Sequence, residues 1–294
     1  MYEEMTLKEF YKHYDAQINK AIDSALNEDK IFQDITTKKL LAGDSGSKML
    51  TAKLLCKEDC IAAGLNVFKK IYLRIDPGAK FNFFYKDSDF VRNKAILLEV
   101  KSTLKNLLIG ERTALNFLQR MSGIATLTNY FVKKLKFKGA KILHTRKTTP
   151  NFRVFELAAV KIGGGDFHRF DLSSAVLVKD NHIRSAGSLE KAINILKRKN
   201  ITGERLEIEA KTEDEIETII RYGKGIIKIV MLDNFSESKL ESAIKKLKQH
   251  GYKIELSGGI NQQNFEHKQR EGIDYYSIGM LTHSYKSIDS SLEF

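Results

Sequence analysis

Between Thr6 and Leu26 the apolar residues Leu7, Phe10, Tyr11, Tyr14, Ile18, Ile22 and Leu26 fall three and four apart. That spacing predicts an amphipathic helix. The segment Ile35–Leu41 follows, then a polar turn at Gly43–Ser47. Candidate strands Thr51–Leu55 and Ile61–Ala63 bracket the charged Lys57-Glu58-Asp59, as strands joined by a turn do. Cys56 and Cys60 are expected at the ends of these paired strands as small apolar fillers. Asn66–Ile71 reads as a short helix, and Phe81–Tyr85 and Ala95–Lys101 complete a strand-rich N-terminal half. From Leu104 to Lys136 a stripe of Leu115, Leu118, Met121, Ala125, Thr128, Val132 and Leu135 predicts one long helix. Gly123 lies inside it at a cost of about 1 kcal/mol against Ala, which points to a close backbone approach or a break there.

After Gly139 the pattern becomes periodic. Strands are predicted at Lys141–His144, Ala175–Val178, Leu206–Ala210, Ile226–Leu232, Ile254–Leu256 and Tyr275–Ile278. Between them lie helical segments at Phe152–Lys161, Leu189–Lys199, Glu213–Tyr222, Glu237–Gln249 and Gln262–Lys268. Alternating β and α elements imply a parallel sheet, open or closed into a barrel. Gly163-Gly164-Gly165 lacks the spacing of a dinucleotide-binding loop, so Rossmann-type binding is not supported. In either parallel architecture, functional groups gather at the carboxyl ends of strands.

Those ends carry the candidate chemistry. Arg146 and Lys147 follow the first of these strands, and Lys179 with Asp180-Asn181-His182 follows the second. Glu209 ends the third, Asp233 the fourth, Ser257-Gly258-Gly259 the fifth, and Gly279 with His283 the sixth. The stretch Thr145 to His182 gathers Arg146, Lys147, His168, Arg169, Lys179 and His182 at turns, as groups converging on an anion would be placed. With Arg112 these are cations or potential cations, and arginine grips carboxylates and phosphates bidentately. Glu209 and Asp233 are carboxylates opposite a phosphate-binding loop, an arrangement suited to Mg²⁺ held largely through water. Ser257–Gly259 before a helix can offer backbone N–H groups to a phosphate. The implied ligands are an organic polyacid, a phosphorylated partner and a divalent metal. Each element also has a plainer explanation. Gly163–Gly165 can end a helix. Glu207 and Glu209 can be one inward and one outward residue of a strand. Asp233 can cap the helix that begins near Ser236.

Composition narrows the class. The 294 residues, 42% hydrophobic, suit one large domain or two ordinary ones. No apolar run reaches the roughly 18 residues of a transmembrane helix, and Met1–Asn27 lacks the apolar centre of a signal peptide. Two cysteines without a second metal-type pair argue against a disulfide framework or zinc site and for a reducing cytoplasm. A net charge of +12 raises nucleic acid as a partner. Much of the excess, such as Lys133-Lys134 and Lys245-Lys246, sits on amphipathic helices as a solubilising surface.

The assembled motifs resemble the quinolinate phosphoribosyltransferase (nicotinate-nucleotide pyrophosphorylase) family. They are Glu111–Arg120, Ser122–Thr126, Thr145–Pro150, Gly163–Gly165 with His168-Arg169, Lys179–His182, Glu207–Glu209, Met231–Phe235, Leu256–Ile260 and Ser277–Ser284, with a weaker likeness at Asp34–Thr37. The resemblance implies an N-terminal α/β sandwich-like domain, residues 1–125 joined by the tail at about 281–294, and a C-terminal incomplete, open α/β barrel over 126–280. It implies conversion of quinolinate and phosphoribosyl pyrophosphate to nicotinate mononucleotide, pyrophosphate and CO₂ with Mg²⁺. It also implies a homodimer in which Arg112 reaches the partner's site. Arg112, Arg146, His168 and Arg169 would hold the quinolinate carboxylates, with Lys147 and Lys179 between the substrates. Glu209 and Asp233 would serve ribose and metal, and Ser257, Gly258, Gly259, Gly279 and His283 the phosphates. Two departures stand out: His144 where the family commonly has aspartate, and Asp166-Phe167 where it has Arg-Asn. A molybdenum-locus relative of the same fold is the first alternative, and a basic nucleic-acid-binding protein is the alternative of another class.

Overall fold

The computed structural model describes residues 5–41, 43–201 and 206–294. The first four residues of the expected N-terminal domain lie outside them. Two compact units divide the chain: one holds Met5–Tyr130, Thr148–Gly164 and Leu281–Phe294, and the other holds Phe131–Lys147 and Gly165–Met280.

In the first unit the opening amphipathic stretch is two helices, α1 (Leu7–His13) and α2 (Asp15–Glu28), parted at Tyr14. Phe10, Ile18, Ile22 and Leu26 are buried, as their spacing requires. Asp34 caps α3 (Ile35–Leu40) by accepting the Thr36 and Thr37 N–H groups. Strands β1 (Met49–Cys56) and β2 (Cys60–Ile61), helix α4 (Leu65–Ile75), and strands β3 (Lys80–Phe83), β4 (Phe90–Val91) and β5 (Ile96–Thr103) follow. The main sheet is antiparallel, in the order β12-β1-β5-β3, with β12 (Ser290–Glu293) from the chain's end. Ala52, Leu54 and Cys56 are buried while Thr51 and Lys53 are exposed. This is the alternation of a half-solvated antiparallel sheet. The two cysteine strands are not partners: β1 pairs with β5 and β12, and β2 pairs with β4. Cys56 and Cys60 are nonetheless buried with their sulfurs 3.3 Å apart.

Helix α5 (Leu104–Lys133) runs unbroken through Gly123. The glycine answers to a close approach: a Cβ there would stand 2.2 Å from the Lys286 carbonyl oxygen. Gly163 answers to the same helix, because its Cβ would meet the Ala125 carbonyl at 2.4 Å. It is also the C-cap of α6 (Arg153–Ile162), with Gly164 left-handed behind it. The triple glycine therefore ends a helix and lets two backbones touch.

The second unit holds β6 (Lys141–Leu143), β7 (Val176–Val178), α7 (Asp180–Ala186), α8 (Leu189–Arg198), β8 (Leu206–Ala210), α9 (Glu213–Gly223), β9 (Ile229–Asp233), α10 (Glu237–Gln249), β10 (Lys253–Ser257), α11 (Phe265–Lys268), β11 (Tyr275–Ser277) and the start of α12 (Met280–His283). Six strands make one parallel sheet in the order β6-β11-β10-β9-β8-β7. It does not close, so the barrel is an open one. Because every strand runs the same way, all six carboxyl ends share a rim. Pairing of Leu143 with Ser277, Ser277 with Ser257, Ser257 with Asp233, Glu209 with Met231 and Leu177 with Glu207 brings these residues to one face. Glu207 and Glu209, two residues apart, share that face, contrary to an inward–outward split. No helix among the described residues is long and apolar enough to cross a membrane.

Gly123→Ala should lower stability by about 1–3 kcal/mol, since a methyl cannot share the space of the Lys286 carbonyl. A urea midpoint that moves down at constant slope would report it, and an unchanged midpoint would refute the close approach.

Candidate active site

The sheet's inner face carries an ion cluster that composition alone would not suggest. His168 is buried, its Nε2 3.3 Å from Glu255 Oε1 and 3.4 Å from Glu207 Oε2. Glu255 also accepts the Ser277 hydroxyl, a contact between neighbouring strands. Burial opposes a charge on His168, but Glu255 and Glu207 outweigh it and push the imidazole up to about 9. The Arg169 N–H, 2.7 Å from His168 Nδ1, pulls the other way. It is one neutral hydrogen bond against two carboxylates, so the upward direction stands. Among the described residues these three side chains form the group closest to a metal-ligand set. Their own positive member is the imidazole.

Arg169 follows His168 and is buried. Burial and then the Arg146 charge push its guanidinium below its ordinary value, while Glu207, Glu209 and Glu255 pull it back up. Arg146 and Arg169 therefore feel each other's charge. Lys147 is exposed, its N–H fixed by the Thr145 hydroxyl at 3.1 Å.

Lys179 ends β7, and its ammonium is paired with Glu209 Oε1. Glu209 Oε2 accepts the Asp180 N–H at 3.2 Å. The rest of the Lys-Asp-Asn-His motif secures this pair. His182 Nδ1 accepts the Lys179 N–H at 2.9 Å, and Asp180 takes Lys211 Nζ at 2.9 Å. His182 is thus a backbone prop rather than one of the converging cations. Asp233 ends β9, half-buried, on the face that carries Glu209. It does not cap α10, whose N-cap is Ser236.

Ser257 closes β10, and Gly258 and Gly259 follow with φ of 102° and 59°. A Cβ on Gly258 would lie 2.4 Å from Asn234 Oδ1, so the two loops are in contact. This turn is not the N-terminus of a helix, because α11 begins only at Phe265. Any phosphate contact there would come from loop N–H groups, without a helix dipole. Gly279 follows β11 in the same unit. Arg112 and His283 belong to the first unit. Arg112 is exposed on α5 and lines a cavity of about 220 Å³ with Ala25, Glu28, Asp29, Thr113, Asn116 and Phe117. His283 is exposed, with Nδ1 2.6 Å from the Ser284 hydroxyl.

Both sequence departures are accommodated locally. His144 is fully buried and accepts the His168 N–H on Nε2 at 3.1 Å. An aspartate in that place would also be an acceptor, but it would add a third carboxylate charge near His168. Asp166 extends the β6 edge through a bridge to Leu143 and forms an ion pair with Lys141 at 3.2 Å. Phe167 is buried beside Phe170, with ring centroids 5.1 Å apart.

An open parallel sheet with arginines and lysines along its carboxyl rim, backed by buried glutamates, defines an anion-handling α/β protein. Comparison with known proteins makes this specific. The quinolinate phosphoribosyl transferase N-terminal domain matches residues 34–122, and the C-terminal domain matches 124–293. The chain belongs to this family. It is 34% identical over 279 residues to a probable carboxylating nicotinate-nucleotide pyrophosphorylase of Bacillus subtilis, covering 94% of this chain and 93% of that one. A protein of the same description from Methanocaldococcus jannaschii is 35% identical, with 93% and 96% covered. The crystal structure of NadC from Streptococcus pyogenes superposes with a TM-score of 0.87 at 36% identity, over 95% of this chain and 96% of that one.

The raised His168 has a consequence for stability. A base whose folded value lies above its unfolded one, near 6.5, adds stability that is complete below about pH 6.5 and is lost as pH rises through about 9. Unfolding between pH 6 and 10 should show wild type losing its advantage over His168→Gln across that window. A pH-independent difference would mean that the imidazole does not titrate there.

Proposed function

We propose that this protein is a decarboxylating pentosyltransferase of NAD biosynthesis. It would join quinolinate to the ribosyl group of phosphoribosyl pyrophosphate and release pyrophosphate and CO₂ to leave nicotinate mononucleotide. The observation that carries this reading is the buried Arg169, which feels the charge of Arg146, at a rim that also presents the Lys179–Glu209 pair. Such a rim is suited to a polyanion.

Arg146, Arg169 and Lys147 are assigned to the two ring carboxylates, and holding them aims the pyridine nitrogen at the ribose carbon. The nitrogen's electron pair forms the new bond as the pyrophosphate oxygen departs with its own. In the transition state the ribose is oxocarbenium-like, favoured by Glu209, while Lys179 faces the departing negative charge. The carbon–carboxylate bond then breaks toward the quaternised ring, CO₂ leaves, and a solvent proton fills the carbon. No covalent enzyme intermediate is required. His168, with Nε2 between Glu255 and Glu207, serves this reading best as the charge that neutralises those glutamates beneath the arginines.

Glu209 and Asp233 suit Mg²⁺ chemically, as two hard oxygen donors on one face at neighbouring strand ends, with Glu209 shared with Lys179 and with water and substrate oxygens completing the shell. Mg²⁺ bound there would neutralise pyrophosphate oxygens. Ser257–Gly259, Gly279 and His283 complete the phosphate side. The reading further includes a cytoplasmic homodimer in which exposed Arg112 enters the partner's site.

Purified protein with quinolinate, phosphoribosyl pyrophosphate and Mg²⁺ should release CO₂ and form nicotinate mononucleotide in equal amounts, and no product would sink the proposal. Glu209→Gln should lower kcat on the order of 100-fold while the fold is kept. Arg112→Ala and Lys147→Ala should each be inactive alone. Equal mixing with subunit exchange should restore up to about a quarter of wild-type activity, because one site of each mixed dimer is whole.

A further inference from the structure

Arg120, which the proposed reaction leaves without a role, sits among three pieces of chain in the first unit. Its guanidinium lies over the Phe152 ring at 5.1 Å and the Tyr285 ring at 5.4 Å. Its Nη2 donates to the Thr149 hydroxyl at 3.1 Å and stands 3.8 Å from Glu156 Oε1. Glu156 is fully buried, and its other oxygen accepts the Thr149 N–H at 3.0 Å. Arg153 Nε adds a bond to the Thr148 hydroxyl at 2.9 Å. Side chains therefore hold the turn Thr148-Thr149 alongside the backbone bond from the Phe152 N–H to Thr149 O.

Two covalent facts give this cluster a meaning. Thr148 directly follows Arg146-Lys147, and Tyr285 comes two residues after His283. We infer that Arg120 is a positioning residue that sets, through one guanidinium, both the segment gripping the acid substrate and the segment facing the phosphates. The inference rests on the proposed reaction for those two segments. A planar guanidinium suits the task, since it stacks on rings with its faces while its edge keeps donors for Thr149. Glu156 works as an acceptor of fixed position. Burial holds its carboxyl above the usual carboxylate range, with the Thr149 contacts acting against that rise. An uncharged acceptor of the same shape should therefore serve.

The pattern of Michaelis constants tests this. Arg120→Gln should raise KM for quinolinate and for phosphoribosyl pyrophosphate about tenfold each, a usual penalty for loosened positioning. Glu156→Ala should raise only the quinolinate value, and Glu156→Gln should bring it back within about twofold of wild type. Tyr285→Ala should raise only the phosphoribosyl pyrophosphate value. Arg120→Lys, which keeps stem and charge, should fall between wild type and Arg120→Gln and serves if the glutamine variant does not fold. A folded Arg120 variant with both constants unchanged would overturn the inference. So would losses in kcat that merely follow thermal stability. Hydrogen exchange on the same variants needs no turnover: Arg120→Gln should speed exchange in peptides spanning Thr148–Phe152 and Ser284–Ile288. If wild type makes no product, the reaction falls, and exchange alone decides the clamp: unchanged exchange in both peptides ends it.

Discussion

The interior of the open barrel depends on one arrangement, the imidazole of His168 set between Glu207 and Glu255. Two buried carboxylates on one face of the sheet, on strands β8 and β10 with β9 between them, would repel and would each need a counter-charge taken out of water. His168 supplies it from the loop between α6 and β7, and His144 fixes that loop by accepting the His168 N–H. Arg169 comes next in the chain and is thereby delivered to the rim. The electrostatics of the floor and the placement of the rim are thus one constraint.

A second constraint is steric. Gly123 lets the Lys286 carbonyl lie against α5, and Gly163 lies against the Ala125 carbonyl of the same helix, each where a side chain would otherwise be. Each stability loss at these glycines would therefore be felt in a segment bearing site residues: Lys286 lies three residues after His283, and Gly163 five before His168. Packing that looks purely structural sets where the chain can carry its chemistry.

Much of this was legible in the residues. Period-two and period-3.6 spacing located all six parallel strands and the long helix, and it put Lys179, Glu209 and Asp233 at the strand ends where the structure has them. Short or polar elements escaped. Helix α7 buries no side chain and so has no apolar stripe, and β4 is two residues long. Glu255 was missed as a partner of His168, although it lies two residues before Ser257 and so on the same face as that rim residue. The placement of Glu207 was misread for the same reason, since residues two apart share a side of a strand. The ion pair of Asp166 with Lys141 was not readable, because only the β6 bridge brings residues 25 apart in sequence together.

The overall charge of +12 is a poor guide to this site, and the reason is local. Surface lysines such as Lys134, Lys246 and Lys248 are already paired with acids and, being exposed, contribute little to binding. Of the rim cations, Arg169 is the buried one. Arg169 is held below its ordinary value by burial and by Arg146, against three glutamates that favour its charge. A site in that condition gains most from a ligand that brings two negative charges at the spacing of two arginines. Under the proposed reaction, the two carboxylates of the diacid would meet Arg146 and Arg169 above a floor whose glutamates are already matched by His168.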